Sequence, residues 1–244
     1  ALHAYLERQT KADLIALIED VARQYPTARE AMQDRYDASL GEVSAVVRAL
    51  EKEIRRISSR PGWSNSWNDD GFIPDYSHIR NRLDTLLAAG CADEVIHVGE
   101  SLFEEGKNQV EMSNDEGETA GEIASCMDVV FKALAKSSLP PSRQMLWAVE
   151  ADLDDEYEIC GGAAAFWETQ FGIADWDTLA NELLQRLNNF PLANSEDQPS
   201  RHYRHDRLAD WVVRAIENAN RQEEIVPLCE REAVKTGSYV RLVA

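Results

Sequence analysis

The residues that could do chemistry in this chain are mostly acidic. The run Asp152-Leu-Asp-Asp-Glu-Tyr-Glu158 gathers Asp152, Asp154, Asp155, Glu156 and Glu158. It could hold a divalent cation or a basic partner, or stay solvated as an acidic loop. Asp115, Glu116 and Glu118 form a second cluster. They lack the D-x-D-x-D-G order and downstream glutamate of a calcium loop, so helix N-capping is the expected role. The histidines, His3, His78, His97, His202 and His205, make no H-E-x-x-H motif and no i, i+4 metal pair. His202 and His205 stand three apart and could share a metal, but Arg201, Arg204 and Arg207 flank them, so an exposed basic face is expected. His97 lies near an apolar helix face and reads as hydrogen-bonded and partly buried. Trp63 and Trp67 sit in a polar loop, either as a binding platform or as pins for the loop.

The cysteines, Cys91, Cys126, Cys160 and Cys229, are 35, 34 and 69 positions apart, too far for a metal knuckle or a disulfide framework. Cys126 and Cys229 fall in apolar helical patterns and read as core residues; a reducing, cytoplasmic setting is expected. No G-x-S-x-G, phosphate loop or G-x-G-x-x-G occurs, and no histidine lies near Cys160-Gly-Gly. Neither an enzyme nor a cofactor is expected.

Net charge is −19, a field that repels phosphate backbones and makes direct nucleic-acid binding a poor expectation. Arg48, Lys52, Arg55, Arg56 and Arg60 are a local exception, read as a solvated helix face with cations near the helix C-terminus. With 44% hydrophobic and 28% charged residues the chain has the makings of a folded core. No apolar run approaches the roughly 18 residues of a membrane span. Ala1 opens directly on an amphipathic stretch and Tyr239–Ala244 breaks off within another, so a fragment of a longer protein is expected.

Helices must position these groups. Residues 2–9 read as a helix tail. Thr10 with Asp13 is a near capping box for a helix from Lys11 to Gln24, with Leu14, Leu17, Ile18 and Val21 on one face. A short helix runs from Thr27 to about Asp37, and another from Glu42 to Ser58 carries Val43, Val46, Val47, Leu50, Ile54 and Ile57. The loop 59–75 divides this N-terminal unit, 1–58, from a body at 76–244. In that body Ile79, Leu83, Leu86 and Leu87 face one way, then Val95, Val98, Leu102 and Phe103, joined by Ala88-Ala89-Gly90, where glycine can take positive φ. Further helices span Thr119–Lys136 and the residues after Pro140-Pro141, then Ala174–Asn189, Arg201–Asn218 and Glu223–Thr236. No hairpin of period-2 strands is evident.

Residues 89–100 (AGCADEVIHVGE) align without gaps on 219–230 (ANRQEEIVPLCE), an offset of 130, at two helix–turn–helix junctions. The expected fold is all-α: stacked αα-hairpins in a tetratricopeptide-like α-solenoid of about a dozen helices, forming one continuous body.

The residues G-F-I-x-D-Y from Gly71, L-L-x-A-G-x-A-x-E-V-I from Leu86, the turn S-N-D-E-G-E from Ser113, and Arg221–Ala244 together resemble the helical region C-terminal to the zinc finger of bacterial SWIM-type zinc-finger proteins. The resemblance implies a helical scaffold beside a finger elsewhere in the parent chain. The family's C-x-C-x(n)-C-x-H pattern is absent here, so zinc binding passes to no residue of this sequence.

These readings lead to a non-catalytic scaffold for a protein partner within a larger zinc-finger protein. The interaction surface would come from Trp63, Trp67, Asp152, Asp154, Asp155, Glu156, Arg201, Arg204 and Arg207. The alternative is an accessory domain of a nucleic-acid-associated protein using the faces Arg48–Arg60 and Arg201–Arg207. A metal-dependent enzyme on the acidic loop ranks third.

Overall fold

The Thr10 hydroxyl accepts the Asp13 amide and the Asp13 carboxylate accepts the Thr10 amide, both at 3.2 Å. That reciprocal cap satisfies two donors at the helix start and follows a short helix, α1 (Leu2–Leu6), to open α2 (Lys11–Gln24). The computed structural model describes residues 2–39, 43–65, 70–191, 199–237 and 239–243. Helix α3 (Pro26–Ser39) begins on a proline, which a first turn tolerates, and runs past the expected end at Asp37.

The chain divides into two compact units, Ala1–Ser137 with Tyr157–Gly162, and Ser138–Glu156 with Ala163–Ala244. The division does not fall at 59–75, because α4 (Val43–Ser58) packs on α6 (Ala92–Met112) in the first unit. Val46, Val47, Leu50 and Ile54 of α4 are buried, as their 1-3-4 spacing predicts. Between the two helices lies a feature not expected from the sequence, an antiparallel pair of strands, β1 (Trp63–Asn65) and β2 (Asp70–Phe72), with Trp63 opposite Phe72. Three residues per strand are too few to show a period-2 pattern.

Helix α5 (Ser77–Ala88) buries Ile79, Leu83 and Leu86, and α6 buries Val95, Val98, Leu102 and Phe103. Helix α7 (Glu118–Leu134) packs against both and buries Ile123, Met127, Val130, Phe131 and Leu134. Gly99 and Gly106, seven residues apart on α6, face Val130 and Ile123, seven apart on α7. A Cβ at Gly106 would stand 2.9 Å from Ile123 Cγ2, and one at Gly99 would overlap Val130 Cγ1. Their missing side chains are what lets the two helices approach.

In the second unit α8 (Pro141–Asp154), α9 (Ala163–Trp167), α10 (Ile173–Asn188) and α11 (Pro199–Asn218) precede a 3₁₀ turn at Gln222–Glu224, α12 (Ile225–Thr236) and α13 (Val240–Val243). Met145 and Val149 of α8, Leu179, Leu183 and Leu187 of α10, Val212 and Ile216 of α11, and Leu228 of α12 form its core. Pro227 falls within the first turn of α12, where an amide has no helical partner to lose.

The two aligned turns share one backbone conformation. Gly90 has φ +86°, and the amides of Gly90 and Cys91 donate to the carbonyls of Leu87 and Leu86 at 3.1 and 3.0 Å. At the matching positions Asn220 has φ +59°, and Asn220 and Arg221 donate to Glu217 and Ile216 at the same distances. Both are left-handed helix caps that satisfy the last carbonyls. Thirteen helices and one short strand pair among the described residues make the chain all-α.

Candidate functional site

Two of the expected interaction surfaces meet each other. The acidic run is half helix: Asp152 and Asp154 close α8 and Asp155 caps it. Arg204, Arg207 and Trp211, spaced three and four on α11, point at that end. Arg207 Nη2 lies 2.6 Å from Asp152 Oδ1, and Trp211 Nε1 donates to Asp152 Oδ2 at 2.6 Å. Arg207 Nη1 donates to the Asp155 carbonyl at 3.1 Å, and Arg204 Nη1 lies 2.7 Å from Asp154 Oδ1. The cations also sit where orphan carbonyls end α8, which favours positive charge. Glu156 is exposed beyond this junction. The side chain of Arg201 and the whole of Trp67 lie outside the described residues. Among the described residues no group of three His, Cys, Asp or Glu side chains is placed to hold a metal ion.

Trp63 is 39% exposed. The loop is stitched down by its backbone instead: Ser64 N–H donates to Asn114 O at 3.0 Å, Asn114 N–H to Gly62 O at 2.9 Å, and Gly62 N–H to Ser113 Oγ at 2.9 Å. The cluster at 115–118 serves the start of α7. Asp115 accepts the Gly117 amide at 2.9 Å and the Thr119 hydroxyl, and Glu118 accepts the Glu116 amide at 2.7 Å. On α4 the side chains of Arg48, Lys52, Arg55 and Arg56 are exposed, and Arg60 stacks over Phe72 at 3.6 Å.

Three histidine sites depart from expectation or were not foreseen. His97 is exposed rather than partly buried, with Nε2 3.3 Å from Glu51 Oε1. His78 has Nδ1 2.8 Å from Glu53 Oε1 and Nε2 2.8 Å from Glu30 Oε2, linking α3, α4 and α5, with Arg82 3.3 Å from the other Glu53 oxygen. His205 does not join an exposed basic face. It is buried at 1% exposure, with Nε2 2.9 Å from Oε2 of the buried Glu232. The helical turn that exposes Arg204 turns His205 inward, one position on. No local signal joins residues 27 positions apart (232 − 205).

The first unit has its own buried polar centre. The Tyr76 hydroxyl donates to Gln109 Oε1 at 2.6 Å, and Gln109 Nε2 donates to the carbonyls of Ile57 and Arg60 at 3.0 and 2.7 Å. Burial drives the Tyr76 phenol well above its ordinary range and the Cys126 thiol up to about 12, so both stay protonated.

The apolar face expected from Leu14, Leu17, Ile18 and Val21 is not enclosed: Leu14 is partly buried and the other three are exposed. Ile15, Leu17, Ile18 and Val21 of α2 are 48, 41, 49 and 37% exposed, and α2 has no buried residue. No family model, curated protein or solved structure matches the chain. Among the described residues no helix is long and apolar enough to cross a membrane.

Proposed function

We propose that the chain is a non-catalytic helical-repeat scaffold that binds a protein partner through α2. One observation carries this reading: a regular, capped helix with no buried residue displays Leu17, Ile18 and Val21 in one stripe with Ile15 at its edge, each more than a third exposed. An amphipathic helix of this kind loses the benefit of its apolar face until another surface buries it. The twin turns at Gly90 and Asn220 support extending the architecture to stacked αα-hairpins of a tetratricopeptide-like solenoid. The resemblance to the region beside a SWIM-type finger is the ground for placing it in a zinc-finger protein.

The test is capture on the immobilised chain, compared with a Leu17→Asp/Ile18→Asp variant. A partner held by the apolar stripe is retained at least tenfold less by the variant, about 1.4 kcal/mol or more. Equal retention contradicts the assignment of the stripe.

A second reading, nucleic-acid association, draws on the exposed Arg48, Lys52 and Arg55. The other basic face gives it less, since Arg204 and Arg207 are engaged by Asp154 and Asp152. It requires binding that weakens steeply with salt; a flat titration at low salt contradicts it.

A further inference from the structure

We propose that the buried His205–Glu232 pair is an acid-sensitive clasp that holds α12 against α11. The two helices meet with an imidazole and a carboxylate facing each other inside the second unit, and the Phe190 ring packs edge-to-face with the histidine, 5.2 Å between centroids. His205 Nε2 and Glu232 Oε2 are 2.9 Å apart, yet neither is oriented to hydrogen-bond the other. The packing of α11 and α12 therefore fixes the pair's position, and the protonation of the ring sets what its burial costs. A buried, imperfectly satisfied polar pair is sensitive to any change in protonation.

The charged groups around it on the described elements act in opposite directions. Glu232 on α12 and Asp206 on α11, with Oδ1 3.9 Å from His205 Nδ1, favour the imidazolium. Lys235 on α12 and Arg241 on α13 oppose it. Their own partners fix them nearby: Lys235 Nζ donates to the Leu187 carbonyl at 3.2 Å, and Arg241 Nε to Asp210 Oδ1 at 2.7 Å. Loss of water around the buried ring outweighs the carboxylates, so the histidine sits below the ordinary imidazole value of 6.5. In the closed state the ring binds protons more weakly than in an open, hydrated one. Closure is fully favoured above about pH 6.5 and loses that advantage as the pH falls below it. Opening uncovers Leu228, Cys229 and Ala233, the buried face of α12.

The experiment is amide hydrogen exchange on the full chain between pH 8 and pH 5, corrected for intrinsic rates, reading residues 225–236 against residues 118–134. The clasp predicts that protection of 225–236 falls several-fold by pH 5.5, up to about tenfold, the limit set by an open-state imidazole near 6.5. His205→Gln removes that dependence, while residues 118–134 stay flat. An NMR titration of the unaltered chain gives a second readout, with a His205 midpoint below 6.5. Flat protection across the range, a His205 midpoint at or above 6.5, or an unchanged pH response in His205→Gln each overturns the clasp.

Discussion

Helices α2 and α4 carry stripes of the same kind, and the structure treats them oppositely. On α4, Leu50 and Ile54 are fully buried against the first unit. On α2, Leu17 and Ile18 keep over 40% of their surface. Both stripes repeat at helical spacing, so periodicity reports that a face exists and not that the same chain covers it. A covered stripe contributes to stability; an uncovered one is available for binding.

Substitutions can break this contrast, beginning with the largest effect. Leu50→Ala should cost about 3 kcal/mol in denaturant unfolding, from lost burial plus the cavity left at a fully enclosed site. A cost below about 1 kcal/mol would mean that α4 is no better covered than α2. Gly99→Ala forces a methyl into Val130 and should cost about 1–3 kcal/mol despite alanine's better helix propensity, read by the same melts. Gain of stability would show that α6 and α7 have room to spare. Gly90→Ala should cost about 1 kcal/mol, because φ +86° strains any residue with a Cβ. Asn220→Gly should be neutral or stabilising by a few tenths, since glycine relieves the same turn in the other unit. Opposite signs for this pair sharpen the structural match between the two turns; equal signs break it.

Much of the helical framework is legible in the sequence. The Thr10–Asp13 cap, the stripe of α4, the faces of α5, α6 and α7 and the positive φ at Gly90 follow from spacing and residue type, because each is a local property. The candidate site was much less legible. Asp152 and Arg207, Glu30, Glu53 and His78, and His205 and Glu232 are partners across dozens of positions, and each alone reads as an ordinary surface charge. His205 was misplaced because its arginine neighbours pointed outward and a helix turns by 100° per residue. Tyr76 and Gln109 carried no motif, only ordinary residue types that tertiary packing brings together.

The central claim, that the α2 stripe is free to bind, is tested most directly by the unfolding free energy of the isolated chain with Leu17→Asp/Ile18→Asp. Two charges on an uncovered face should change stability by no more than about 1 kcal/mol, as for other exposed positions. A loss of about 3 kcal/mol or more, comparable to Leu50→Ala, would show the stripe already buried within the chain and contradict the account.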